Sequence, residues 1–192
     1  MKLGTNEVFF AATDIGLLKS TDAAEHWGLV DIPGSMAVTA LYFPPNSSKF
    51  LVARAANGIY VSEDSGDHWS KLNFPLPPAD VNGIAVPADS AMPLLAATRA
   101  GLYMSSDAGS KWSFISRGLP ASTVNSVIYV GSGSTAYAVG YGRLYQTNDG
   151  GSSWSEISTS LPSLRIRQLW QPDATSNRLY AVTNDIGIIY RD

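Results

Sequence analysis

An eight-residue pattern occurs four times in this chain. STDAAEHW (Ser20 to Trp27), SEDSGDHW (Ser62 to Trp69), SSDAGSKW (Ser105 to Trp112) and TNDGGSSW (Thr147 to Trp154) share Ser/Thr-x-Asp-x-Gly-x-x-Trp, and their Trp residues are 42, 43 and 42 positions apart. A fixed period near 40 residues is a strong constraint. Each repeat must be one supersecondary unit that cannot bury its apolar face alone, so neighbouring repeats must cover one another.

The sequence around each octet repeats as well. A Gly and a strand-like run precede it (GLLK, GIYV, GLYM, GRLYQ), and a fifth copy, GIIYRD, ends the chain. Before each Gly lies another β-rich run: VFFAAT, FLVARA, LLAATR, AYAVGY and LYAVTN. After the Trp come a short strand, a Pro-containing loop and an inner run, VTALYF, VNGIAV, VNSVIYV or IRQLWQ. With 17 Gly and 11 Pro as punctuation, the strands are too short for a helical solenoid, and no helix is expected. Four short antiparallel strands, A to D from inside outward, in about 40–45 residues make a β-propeller blade. The repeats run approximately 1–35, 36–78, 79–121, 122–163 and 164–192. The first lacks strand A and the last lacks strand D. The expected fold is therefore all-β, a single propeller array of about four and a half four-stranded blades.

In that frame each octet is the C–D hairpin turn. Asp22, Asp64, Asp107 and Asp149 accept the turn's own N–H groups, as aspartates do in Asx turns. The hydroxyls of Ser20, Ser62, Ser105 and Thr147 do the same more weakly. Gly66, Gly109 and Gly151 take a φ > 0 position. Trp27, Trp69, Trp112 and Trp154 lay large apolar rings across the hairpin and onto the neighbouring blade. The octets resemble the Asp-box, or BNR repeat, of sialidases, xyloglucanases, the sortilin luminal domain and photosystem II stability/assembly factors. The resemblance covers essentially the whole chain, and it implies that the boxes are structural turns on the face opposite the ligand site. Ala24 departs from the pattern, and that turn should be strained or slightly rearranged, at roughly 1 kcal/mol.

A calcium loop in Asp64-Ser65-Gly66-Asp67 is the alternative reading of the octet. Calcium takes six to eight oxygens, and only the first Asp recurs in every copy. His26 and His68 occupy equivalent positions on different blades and cannot converge on one ion. No metal and no cofactor are expected. The resemblance to sialidases would call for an Arg triad, but Arg54, Arg99, Arg117, Arg143, Arg165, Arg167, Arg178 and Arg191 are scattered over several phases of the repeat. A glycosidase needs two carboxylates about 5–10 Å apart. Outside the octets the acids are few: Glu7, Asp14, Asp31, Asp80, Glu156, Asp173, Asp185 and Asp192. Asp14 and Asp185, at equivalent B–C positions, could flank a cleft, but nothing pairs them chemically. The expectation is that the chain is not an enzyme.

The better lead is the inner strand. Aligning VTAL, VNGI, VNSV and IRQL stacks Thr39, Asn82, Asn125 and Arg167 at one phase, which in a propeller rings the upper end of the central channel. Asp14, Arg54, Arg99, Tyr141 and Asp185 join them as candidate ligand-binding residues near the D–A and B–C loops, since binding groups commonly sit on loops held by a rigid scaffold. The expected function is a non-catalytic binding or assembly module presenting that loop face to a protein or glycan. The alternative is a fragment of a glycoside-hydrolase-type propeller, sialidase- or xyloglucanase-like.

A net charge of -3 with no basic run omits the electrostatic footprint of a nucleic-acid binder. No apolar run approaches the ~20 residues of a membrane span. There is no Cys, and Met1-Lys2-Leu3-Gly4 opens into polar residues. A secreted or periplasmic location, its leader absent from this chain, is the expectation. The incomplete terminal blades should expose edge strands and, for want of strand A, Val8, Phe9 and Phe10. Self-association through those blades follows, most simply as a two-fold homodimer.

Overall fold

The computed structural model describes residues 8–34, 37–44, 50–89, 92–115, 117–131, 133–157, 166–171, 178–183 and 187–191. The chain divides into two compact units, Met1–Pro78 and Ala79–Asp192, the boundary falling between the second and third repeats.

The first unit holds two antiparallel sheets. Blade 1 is β1 (Phe9–Thr13), β2 (Gly16–Ser20) and β3 (Gly28–Val30); blade 2 is β4 (Val38–Tyr42), β5 (Leu51–Ala55), β6 (Gly58–Ser62) and β7 (Ser70–Lys71). The second unit holds three. Blade 3 is β8 (Val81–Ala85), β9 (Leu94–Thr98), β10 (Gly101–Ser105) and β11 (Ser113–Ile115), entered through a single 3₁₀ turn at Pro78–Asp80. Blade 4 is β12 (Val124–Tyr129), β13 (Ala136–Gly140), β14 (Arg143–Thr147) and β15 (Ser155–Glu156). Blade 5 is β16 (Ile166–Trp170), β17 (Leu179–Thr183) and β18 (Ile188–Arg191). Among the described residues the sheets thus have three, four, four, four and three strands, each in sequential order. These are propeller blades.

The strands read as they do because blades stack. The middle strands are apolar on both faces: every residue of β6 (GIYVS) and β9 (LLAAT) is buried. The outermost strands are two or three residues long and mostly exposed. Alternate residues then serve two interfaces. We call the face toward the next blade leading and the other trailing. In the first unit Leu17, on the leading face of blade 1, clusters with Leu51, Ala53, Tyr60 and Trp69 on the trailing face of blade 2. In the second unit Ala85, Leu95, Ala97 and Leu102 of blade 3 meet Ala136, Ala138, Tyr145 and Trp154 of blade 4. Val139 and Leu144 of blade 4 meet Ile166, Leu169, Leu179 and Ala181 of blade 5.

One expectation is corrected. Val8, Phe9 and Phe10 are half-buried rather than exposed. Phe10 lies on the leading face, so blade 2 covers it whether or not strand A is present: its ring centroid is 6.3 Å from that of Phe43. The inner strands are also less regular than their apolar pattern suggests. The register shifts between Val38 and Ala40, Val81 and Gly83, Val124 and Ser126, and Ile166 and Gln168. Each shift is a β-bulge with one extra residue on strand A. The extra residues are Thr39, Asn82, Asn125 and Arg167.

Candidate functional site

The four octets close one hydrogen-bond circuit each. In the second, the Ser62 hydroxyl donates to Asp64 Oδ1 at 2.8 Å and accepts from Gly66 N at 2.8 Å. Asp64 Oδ1 also accepts from His68 N at 2.9 Å, and Trp69 Nε1 donates to Gly66 O at 3.2 Å. The same bonds recur as Ser20–Asp22–Ala24–His26–Trp27, Ser105–Asp107–Gly109–Lys111–Trp112 and Thr147–Asp149–Gly151–Ser153–Trp154. To form the turn, two consecutive residues adopt positive φ: Ala23 and Ala24, Ser65 and Gly66, Ala108 and Gly109, Gly150 and Gly151. Ala24 therefore keeps the turn at φ 72° rather than rearranging it.

These bonds favour the ionised carboxylate. The backbone N–H of His26, then its ring and the Ser20 hydroxyl, hold the Asp22 carboxyl down at about 2. Asp64 lies well below the usual carboxylate range, chiefly through the His68 N–H and ring. Lys111 N–H and the Ser105 hydroxyl lower Asp107. The Ser153 and Thr147 hydroxyls lower Asp149 strongly. In return Asp64, accepting from Nδ1 at 2.6 Å, pushes the His68 imidazole up.

The glycine does more than supply its φ. A Cβ on Gly66 would stand 2.7 Å from Phe10 Cζ, and one on Gly151 2.7 Å from Leu95 Cδ2. In both cases the obstacle belongs to strand B of the preceding blade, so the octet is seated on its neighbour. In the calcium-loop reading Asp67 would turn toward Asp64. Instead it pairs with Lys19 Nζ of blade 1 at 2.6 Å. Ligand atoms of Asp22, Glu25 and His26 can lie within 4.8 Å of one another, all exposed. Both Asp22 oxygens, however, are engaged by Ser20 and His26.

The opposite edge of each blade carries the B–C hairpin. In blades 1, 3 and 5 a threonine clasps the turn: Thr13, Thr98 and Thr183 Oγ1 donate to Gly16, Gly101 and Gly187 O at 2.7–3.0 Å. In the first unit Arg54 Nε donates to Thr39 Oγ1 at 2.9 Å, and Asp14 stands exposed. In the second unit Asn82 Nδ2 donates to Val124 O at 2.8 Å and so stitches blade 3 to blade 4. Ser126, which sequence reasoning passed over, similarly accepts from Leu169 N of blade 5 at 3.2 Å. Arg99 lies 3.8 Å from Asp80. Asn125 is half-buried and Arg167 exposed. Tyr141 is 80% exposed at φ 55°. Asp185 lies outside the described residues. Unit 1 thus joins Thr39 with Arg54, while unit 2 carries Asn82, Asn125, Arg99, Tyr141 and Arg167 on the bulges and B–C turns.

Sequence reasoning also missed a hollow of about 320 Å³ beside the B–C turn of blade 1, lined by Ile15, Leu17, Leu29, Asp31, Ile32 and Val38. Its signal was an Ile at a turn position and a Leu where the other blades carry Lys71, Phe114 and Glu156.

No family profile and no curated protein matches the chain. Solved structures do. The GH74 enzyme of Niastella koreensis superposes with a TM-score of 0.70 at 20% identity, over 93% of this chain and 31% of that one. The extracellular domain of BT4673 from B. thetaiotaomicron gives 0.71 at 17%, over 99% and 25%. YCF48, solved bound to D1 peptide, gives 0.60 at 17%, over 97% and 62%. The chain spans between a quarter and under two thirds of the length of these proteins. All three are β-propellers. At such identities the likeness is one of fold: this chain is made of β-propeller blades.

Proposed function

We propose that this chain is an Asp-box propeller module whose B–C and D–A loop edge binds a protein or glycan without chemistry, and whose end blades let it associate with itself. The observation that carries the reading is Tyr141. A large aromatic side chain, 80% exposed, is held at φ 55° by a two-residue turn. Exposed aromatics on strained turns of a rigid scaffold are typical of recognition surfaces. The second unit also carries amides and cations on its bulges and B–C turns, Asn82, Asn125, Arg99 and Arg167, with Asp80 3.8 Å from Arg99. The octet aspartates, at the other edge, all have their proton affinity displaced downward. A general acid needs the opposite displacement. YCF48, with a peptide in its structure, lends support to the protein-ligand form of the reading. The proposed place of action is the periplasm or the cell exterior.

The test is binding to glycan and peptide arrays, with hydrolysis of xyloglucan and of a sialoside measured in parallel. The expected result is signal on one class of array that falls at least tenfold in Tyr141→Asn, a change that tolerates the left-handed turn, and no hydrolysis. Turnover that vanishes in Asp14→Asn would replace this reading with that of a glycosidase fragment. Silence on both arrays would remove the binding module.

A further inference from the structure

The internal interfaces define what each face of a blade requires, and two faces of this chain meet the requirement yet stay partly exposed among the described residues. On blades 3 and 4 the leading face is built at four equivalent positions: Ala85, Leu95, Ala97 and Leu102, then Ile128, Tyr137, Val139 and Leu144. On blade 5 the same positions are Trp170, Tyr180, Val182 and Ile188, placed by the register that pairs Trp170 with Tyr180 and Val182 with Ile188. All four are apolar or aromatic. Yet Trp170 is 53% exposed and Ile188 66%, whereas Leu102 and Leu144, in the place of Ile188, are 0% and 7% exposed.

The trailing face of blade 1 is the counterpart. Its positions are Phe9, Ala11, Leu18 and Trp27. They correspond to Leu51, Ala53, Tyr60 and Trp69 on blade 2 and to Ala136, Ala138, Tyr145 and Trp154 on blade 4. Those eight are buried, while Phe9, Ala11 and Leu18 are half-buried and Trp27 is 41% exposed. The substitutions suit a surface that meets its partner from solution. Tyr60 sends its hydroxyl to Pro33 O of the link from blade 1; Leu18 has no hydroxyl to satisfy. Neither set of four contains a charge, so neither carries the repulsion that keeps apolar sheet faces apart.

We propose that the occupant of each face is a second copy of this chain, docked head to tail, so that the leading face of blade 5 of one copy lies on the trailing face of blade 1 of the other. This rests on the self-association just proposed and gives it a polarity. Each of the three contacts within the units buries a leading face on a trailing face, never two faces of one kind. The bare pair therefore has a worked template in the chain's own interfaces. A head-to-tail contact either closes on itself or runs on, so the assembly grows through unlike ends.

Light scattering after size exclusion, on the full chain and two charge variants, decides this. Leu18→Arg spoils the trailing face and Ile188→Arg the leading face. Phe9→Arg and Trp170→Arg are second choices if either variant loses the far-ultraviolet strand signal. The wild type should run at two or more times 20.5 kDa, and each variant alone at 20.5 kDa. An equimolar mixture of the two variants should recover a species of about twice 20.5 kDa and no larger, because one good leading face then meets one good trailing face and both remaining ends are spoiled. A monomeric wild type at micromolar concentration overturns self-association altogether. An assembling wild type with only one sensitive variant, with neither sensitive, or with no recovery on mixing overturns the head-to-tail contact alone.

Discussion

The first and second octets differ little in sequence and greatly in company. STDAAEHW and SEDSGDHW close the same circuit: hydroxyl to carboxylate at 2.8 Å in both, backbone N–H of the His to the carboxylate at 2.9 Å in both, indole to the fifth residue's carbonyl at 3.2 Å in both. Yet Trp27 is 41% exposed and Trp69 6%. Ala24 is exposed, while Gly66 is buried on Phe10. The comparison separates two things the motif mixes. Its hydrogen bonds are local and belong to the eight residues. Its Gly and the burial of its Trp belong to the neighbouring blade.

The largest expected effect breaks the comparison at the Trp. Trp154 is 6% exposed in the core between blades 3 and 4, so Trp154→Ala should cost on the order of 3–5 kcal/mol. Trp27→Ala, at a residue 41% exposed, should cost less, about 2–3 kcal/mol by the area scaling. Urea unfolding of both variants measures the gap. Equal losses would mean that the indole acts through its own hairpin and not through its neighbour.

Next comes the glycine. Gly151→Ala must hold φ near 101° and place a Cβ 2.7 Å from Leu95. Left-handed strain of about 1–2 kcal/mol adds to overpacking of about 1–3 kcal/mol, so a loss of about 2–5 kcal/mol is expected by denaturant titration. A loss below about 1 kcal/mol would show that the blades part easily there.

The repeat made most of this architecture legible. Four Trp at one phase and runs apolar on both faces leave few alternatives to stacked blades, and the 3-4-4-4-3 strand count can be read from where the runs begin. The bulges were not legible. Thr39, Asn82, Asn125 and Arg167 stood out as a polar column in an apolar strand, but an alternating pattern cannot say whether such a residue is paired in the ladder or extruded from it. The second left-handed residue was hidden because Ala23, Ser65 and Ala108 carry side chains that give no sign of positive φ. Asn82 looked like a channel residue, and its bond to Val124 O depends on a neighbouring strand 42 residues away. Tyr141 was visible only as one B–C residue among several, since its exposure depends on the hairpin having two residues.

Acid should reveal the local circuit without disturbing the interfaces. A carboxylate whose folded pKa is depressed contributes stability above its unfolded pKa and loses it as pH falls through the folded value. For Asp22 that window runs from 3.8 down to about 2, and the other three octet aspartates shift the same way. Thermal midpoints should fall from pH 4 to pH 2, and by less in Asp22→Asn. His68 has the opposite sign: raised from 6.5, its contribution is complete below that pH and declines as pH rises through the folded value. Because these groups are solvent-exposed, salt should flatten both trends. A profile unchanged by Asp22→Asn would remove the carboxylate from the acid response.

The smallest effect is the reverse substitution in the first octet. Ala24 pays for φ 72° with left-handed strain of about 1–2 kcal/mol, which Ala24→Gly relieves. The same change frees the unfolded chain, costing about 0.4–1 kcal/mol. Ala24 is exposed, so little packing is lost or gained. The net should be a gain between about 0 and 1.6 kcal/mol, read as a higher urea midpoint at unchanged slope. Its sign is the sensitive point. Ala24→Gly should stabilise while Gly151→Ala destabilises several-fold more, although both exchange the same two residues at the same place in the same turn. If Ala24→Gly instead lowered the midpoint under conditions where the wild type is assembled, but not in the Ile188→Arg background, the Ala24 methyl would be making contacts across the docked copy. The first octet would then have the neighbour its sequence resembles a place for, and the difference between the two octets would shrink to the chemistry of that contact.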